Sequence, residues 1–213
     1  MSDAVYTIGH STHSIERFIE LLRRHTITAL CDVRSRPYSR MNPQFNREAL
    51  KEALAHASIK YAFLGKELGA RTEDRSCYCN GKVQYDLLAK TDLFKKGIDR
   101  VKKGANQYRI ALMCAEKEPL DCHRAILVAR VLSEDGMTIR HILADGTIEE
   151  HPDALKRLIA MLRVSSSDMF RSEAAVLEDA YNKKGHQIAY QEELSENSST
   201  IDQSNYDASG AAG

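Results

Sequence analysis

The feature that most constrains the fold is a repeated hand-over from a short apolar run to a segment with helical spacing. Residues 110–113 are apolar and of strand length, residues 114–120 are polar and interrupted by Pro119, and from Cys122 onward Ile126, Leu127, Ala129, Val131 and Leu132 recur at helical intervals. Asp121 stands where a carboxylate would accept the first-turn amides of that helix, so an N-cap is expected there. Residues 4–8, 27–33, 59–64 and 138–143 read as further strands. Helices are expected after Ser14, over 46–56, 85–89, 93–103, 152–162 and 173–181. Strands alternating with helices imply a parallel sheet with right-handed crossovers.

The expected fold class is therefore α/β: a mainly parallel sheet with helices on both faces, in three Rossmann-like layers, as a single domain. Residues 1–164 read as that domain and 165–191 as a helical extension packed on it. From 192 to 213 Ser, Asn, Asp and Gly dominate, which supports no core, and a disordered tail is expected. Residues 65–83 are weakly patterned and contain Gly69, Arg71, Cys77 and Cys79; a segment of that length reads as an active-site flap.

Lys+Arg and Asp+Glu both number 30, so no net field draws the molecule to nucleic acid or to a membrane. No apolar run approaches the ~18 residues of a membrane span. The start, Met1-Ser-Asp-Ala, has neither the basic nor the apolar part of an export signal, and a cytoplasmic location is expected. Five cysteines without a disulfide framework fit reduced thiols. Nothing in the sequence fixes the oligomeric state.

In an open parallel sheet, ligands bind beyond the carboxyl ends of the strands. His10 and Ser11 follow the first strand, with their amides facing that crevice. Asp32, Arg34, Arg36, Tyr38, Arg40 and Asn42 lie at or just beyond the end of the second, and Cys114, Glu116, Cys122, His123 and Arg124 surround the loop at residues 114–124. Cys114 is the expected nucleophile or sulfur carrier, against the alternative of a small buried filler. His10, oriented by Asp32, or His123 would move protons, although a buried structural hydrogen bond is the more ordinary role for His123. Glu116 is the carboxylate for acid–base work, and Cys122 either resolves Cys114 in a redox pair or merely starts the helix.

Arg34, Arg36 and Arg40, joined by Arg71 and Arg124, would clamp a phosphate or carboxylate, with Tyr38 as a stacking face and Ser11 and Asn42 as further contacts. The alternative is a solvated loop paired with Glu16, Glu48 or Glu67. Cys77 and Cys79 flank a single residue, and Cys114, Cys122 and His123 are poorly spaced for zinc. Neither a metal nor a cofactor is expected.

Thr7-Ile-Gly-His-Ser11, Asp32-Val-Arg-Ser-Arg-Pro-Tyr-Ser-Arg40, Asn42-Pro-Gln-Phe-Asn46 and Cys114-Ala-Glu-Lys-x-Pro-x-Asp-Cys-His-Arg124 together resemble the domain-of-unknown-function 488 (DUF488) family over about residues 6–190. That resemblance implies a fold and a site but no reaction. Asp32-Val-Arg34, Cys114 and the stretch from Gly136 through His141 to Asp145-Gly146 also resemble the layout of rhodanese-like sulfurtransferases and the phosphatases built on that fold. The latter resemblance implies a strand-end Cys in an anion-cradling loop. The acidic residues Glu116, Glu118 and Asp121 in this loop argue against a phosphatase.

The resulting expectation is a Cys-dependent transferase or hydrolase acting on an anionic, phosphate-bearing substrate such as a nucleotide or a nucleic-acid end, with no membrane partner. The alternative is a non-catalytic module that holds a nucleotide or single-stranded nucleic acid in the same crevice.

Overall fold

The structure, a computed structural model, describes residues 4–163 and 172–192. In chain order it runs β1 (Ala4–Gly9), α1 (Ile15–Arg24), β2 (Ala29–Asp32), α2 (Arg47–His56), β3 (Lys60–Phe63) and α3 (Gly65–Leu68). A two-stranded hairpin, β4 (Tyr78–Cys79) and β5 (Lys82–Val83), precedes α4 (Tyr85–Leu88), α5 (Asp92–Ala105) and β6 (Ile110–Cys114). A π-helical segment, Arg124–Ala129, runs into α6 (Arg130–Glu134). Then come β7 (Thr138–Ile142), β8 (Ile148–Glu150), α7 (His151–Leu162) and α8 (Glu173–Ile188).

Among the described residues the main sheet has six strands in the order β3-β2-β6-β1-β7-β8, all parallel except the β7–β8 pair. From β1 the chain departs toward β2, whereas from β6 it departs toward β7 on the opposite side. The adjacent carboxyl ends of β1 and β6 are thus the switch point of the sheet.

Side chains along each strand alternate between two cores. Ile110, Leu112 and Cys114 of β6 join Phe94, Ile98 and Val101 of α5 on one face, with Leu127 and Val128. Ala111 and Met113 join Phe18 and Leu22 of α1 and Leu50 and Leu54 of α2 on the other. Each fully buried Leu or Phe contributes roughly 1.5–3 kcal/mol, and the two cores make three layers. The helix starts follow local rules: Ser14 Oγ accepts Arg17 N at 3.2 Å and Thr91 Oγ1 accepts Phe94 N at 3.2 Å. Among the described residues no helix is long and apolar enough to cross a membrane.

One local expectation differs from the structure, and two segments carry strands that were not expected. Asp121 caps nothing: Glu118 caps the 3-10 turn Pro119–Asp121 by accepting Leu120 N at 3.1 Å, and Asp121 instead pairs with Lys184 of α8 at 2.6 Å. The segment read as a flap is folded, because Asn80 and Gly81 take positive φ (50° and 73°) and turn a hairpin. That hairpin is tied to the chain end through Val83 N to Tyr190 O at 3.0 Å, with Cys77 buried beneath it. Beyond Gly146 the chain returns as β8, a short edge strand whose two glutamates conceal any apolar alternation. Helix α8 packs on α7 around Ala154, Leu158, Ala180 and Tyr181. Residues 193–213 of the expected tail lie outside the described residues.

At the switch point, His10 N donates to Cys114 O and Ser11 N to Ala115 O, both at 2.9 Å. The approach is so close that a Cβ on Gly9 would lie 1.9 Å from the Glu116 carbonyl oxygen. Gly9→Ala must push the 115–118 loop away, and a stability loss of about 1–3 kcal/mol is expected. A urea-unfolding midpoint equal to that of the parent would show that this contact carries no constraint.

Candidate functional site

The sheet divides the expected site in two. Asp32 ends β2 with its side chain on the α1/α2 face. Arg34 N and Nε donate to its Oδ1 (3.1 and 2.9 Å), Arg34 Nη2 to its Oδ2 (2.7 Å), and the Tyr61 hydroxyl to Oδ2 (2.9 Å). Arg34 also donates through Nη2 to Phe45 O at 2.8 Å and through Nη1 to His10 Nε2 at 3.2 Å. Asn42 opens the turn Pro43–Phe45, which brings the Phe45 ring onto the His10 ring at 4.3 Å.

Because His10 Nε2 accepts from Arg34, its Nδ1 carries the proton and donates to Ser11 O at 2.9 Å. Burial, with the Arg34 charge added, lowers the His10 pKa to about 4 in spite of that bond. His10 is therefore a neutral ring with both nitrogens engaged, and Arg34 stands between it and Asp32. Ser11 is half-buried at a φ of 48°. The amides of His10 and Ser11, read as facing the crevice, are instead consumed by the β1–β6 ladder.

The second group lies on the opposite face. Cys114 is the last residue of β6 on the Ile110–Leu112 side, so strand periodicity alone buries its thiol. The Pro119–Asp121 turn folds the following loop back and delivers Cys122 and His123 to it. His123 Nε2 lies 3.0 Å from Val33 O and donates to it, which turns Nδ1 toward Cys114 Sγ at 3.7 Å and Cys122 Sγ at 3.8 Å. Glu116, at the exposed rim, places Oε2 2.9 Å from Cys122 Sγ. Arg124 is fully buried: its backbone N faces Cys122 Sγ at 3.4 Å, while its guanidinium donates to Glu116 O (2.8 Å) and Lys117 O (3.2 Å).

The electrostatics separate the two sulfurs. Burial, and then the neighbouring Cys122, push the Cys114 thiol well above its usual value. For Cys122 burial acts in the same direction. It is outweighed by the Cys114 S–H bond, the Arg124 charge and His123, and this thiol falls well below its usual value. Burial would lower the His123 pKa, but Cys122 and Glu116 raise it. Burial, and then the neighbouring Cys122 2.9 Å away, raise the Glu116 carboxyl, and one proton serves that close pair. The arrangement is a thiol whose pKa is lowered, held between an imidazole and a carboxyl whose pKa values are both raised.

Among the expected clamp residues, Arg34 is neutralised by Asp32 and Arg124 is spent on the loop carbonyls. Arg36 and Arg71 are exposed and line a cavity of about 490 Å³ with Tyr190, Gln191 and Glu192, where the Arg71 guanidinium lies 4.2 Å over the Tyr190 ring. Tyr38 and Arg40 are exposed and make no hydrogen bond, ion pair or ring contact among the described residues. Cys79 is exposed, and burial pushes the Cys31 thiol up to about 12.

Sequence reasoning missed Tyr85. This residue packs against Gly185, where a Cβ would meet its Cδ2 at 3.3 Å. Burial, followed by the charges of Cys122 and Cys114, raises its pKa. Tyr85 also lines a groove of about 720 Å³ with Ile126, Arg130, Tyr181 and His186. Its position in a four-residue helix offers no signal in the sequence.

A family model described as Domain of unknown function DUF488 matches residues 14–131. No curated protein and no solved structure matches the chain. The rhodanese-like layout is not supported: among the described residues the Cys114 sulfur faces the His123 imidazole and the Cys122 thiol within the core.

Proposed function

The chain belongs to the DUF488 family, a domain of unknown function, and from this site we propose that it is a thiol-dependent transferase or hydrolase acting on an anionic, phosphate-bearing substrate such as a nucleotide or a nucleic-acid end. The observation that carries the proposal is the convergence of Cys114 Sγ, Cys122 Sγ and His123 Nδ1 within 4.8 Å of one another at the carboxyl end of β6.

Cys122 is the reacting sulfur, and Cys114, the residue expected from the sequence, places its sulfur within 4.8 Å of it. The Cys122 thiolate attacks the substrate's electrophilic centre and an S–substrate bond forms. The bond to the leaving group breaks with its electron pair, and that group takes the Glu116 proton. Water or an acceptor then attacks the same centre, the electron pair returns to sulfur, and Glu116 recovers a proton from the incoming nucleophile. Arg36 and Arg71 supply cationic charge for the anionic part of the substrate.

The test is alkylation read residue by residue by mass spectrometry across pH, on the reduced, metal-free chain. Cys122 is expected to react at about pH 6, well below the ~8.5 of a free thiol, and faster than the exposed Cys79. In Cys114→Ala, which leaves no side-chain donor at that position, the pH midpoint of Cys122 should rise. A Cys122 as inert as Cys31 until unfolding ends the proposal.

The Arg36–Arg71–Tyr190 cavity favours a second reading, a non-catalytic module that binds a nucleotide or single-stranded nucleic acid. It requires binding that weakens steeply with salt and survives Cys122→Ser.

A further inference from the structure

We propose that Cys114, Cys122 and His123 bind one soft divalent ion, with zinc the best fit, through the two sulfurs and Nδ1. The inference rests on the same grouping of these residues as the function above. Zinc holds sulfur at about 2.3 Å and imidazole nitrogen at about 2.0–2.1 Å, so tetrahedral angles put S and N roughly 3.6 Å apart. The observed Nδ1–Sγ separations are 3.7 and 3.8 Å, and the three donor atoms all lie within 4.8 Å of one another.

The imidazole is already oriented for this role. Its Nε2–H donates to Val33 O, which leaves the Nδ1 lone pair toward the sulfurs, the usual device for aiming a metal-ligating histidine. Two thiolates and an imidazole are the donor set of a zinc centre with one position open. Glu116 Oε2, 2.9 Å from Cys122 Sγ, is the nearest further donor. The two thiolate charges balance a divalent ion, and Arg124 N, 3.4 Å from Cys122 Sγ, donates to that sulfur.

The linear spacing argued against a metal because seven residues separate the two cysteines. The 3-10 turn Pro119–Asp121 removes that objection by folding the loop back onto the end of β6. The ion would keep both sulfurs deprotonated and shield them, so metal content would regulate thiol reactivity at the site.

The experiment uses the full chain, reduced and stripped with a chelator. Zinc is titrated against a chromophoric chelator, and cobalt is titrated separately. One ion per chain is expected, with tetrahedral cobalt bands and thiolate-to-cobalt charge transfer. Zinc should slow alkylation of Cys114 and Cys122 at least tenfold while Cys79 is unaffected. Cys122→Ser should weaken binding by more than the roughly 10- to 100-fold that loss of a merely orienting partner costs, whereas Cys79→Ser should leave it unchanged.

Cobalt binding without charge transfer, equal protection of Cys79, or unchanged affinity in Cys122→Ser overturns the inference. If that variant does not fold, protection in the parent chain decides. Fast Cys122 alkylation without zinc protection sinks the metal site and leaves the thiol enzyme standing. One tightly bound ion on a chain whose metal-free Cys122 is inert does the reverse.

Discussion

Asp32→Ala is expected to cost about 3–5 kcal/mol of unfolding free energy, against a total of roughly 5–15 kcal/mol for a domain. The Asp32 carboxylate is wholly buried and accepts from Arg34 N, Nε and Nη2 and from the Tyr61 hydroxyl. Its removal leaves a buried guanidinium with only Phe45 O and His10 for partners. Tyr61→Phe removes one of the four bonds and leaves the ion pair intact, so about 1 kcal/mol is expected there. Urea unfolding of both variants measures the difference, and equal losses would show that the ion pair is not what holds this end of β2. Since Asp32 faces α1 and α2 while Cys122 lies across the sheet, the alkylation rate of Cys122 in the folded Asp32→Ala protein should be unchanged.

Acid should destabilise the protein in a window set by its buried histidines. His10 and His151 are both lowered from 6.5 to about 4, His151 by burial and His10 by burial with the Arg34 charge added; burial, followed by the charge of His151, also lowers His141. Each ring is neutral in the fold, whereas in the unfolded chain it takes up a proton below about pH 6.5. Between these values the unfolded state binds more protons, so the stabilisation is complete above pH 6.5 and is lost as pH falls toward 4. For His10 and His151 this amounts to about 3 kcal/mol each at the bottom of the window.

His141 and His151 also transmit a structural effect. They form a chain from Thr7 Oγ1 through His141 (2.8 Å) and His151 (2.9 Å) to the Tyr181 hydroxyl (3.0 Å), joining the sheet to α7 and α8. Protonating His151 makes both its ring nitrogens donors, so the chain survives only where His141 Nε2 and the Tyr181 hydroxyl both accept. Melting temperatures measured from pH 7.5 to 4.5 should fall below pH 6.5, and His151→Gln should flatten the fall. A melting temperature that stays level to pH 4.5 would refute the account.

The α/β class, the core strands and the helix starts at Ser14 and Thr91 follow from local rules, because apolar period and capping chemistry act over a few residues. The hairpin at Asn80-Gly81 was equally legible, since that dipeptide tolerates positive φ, yet the length and weak patterning of residues 65–83 led to a flap reading instead. Edge strand β8 was not legible: Glu149 and Glu150 are compatible with a solvent-facing strand but do not specify one. Asp121 has the right chemistry for a helix cap, and its partner Lys184 lies 63 residues away, beyond the reach of any local rule.

The candidate site divides along the same line. The sequence determined which of these residues end strands and open loops, and in a parallel sheet such residues lie at one edge. The pairing of those residues was decided by tertiary structure. Strand alternation sends Asp32 to one face and Cys114 to the other, so Arg34 neutralises Asp32 and cannot clamp a ligand. The fold of the 115–123 loop brings Cys122 to Cys114 and aims His123 at both. Which thiol carries the negative charge depends on burial and on charges converging from β6, the loop and the π-helical turn, quantities that exist only once those segments have packed.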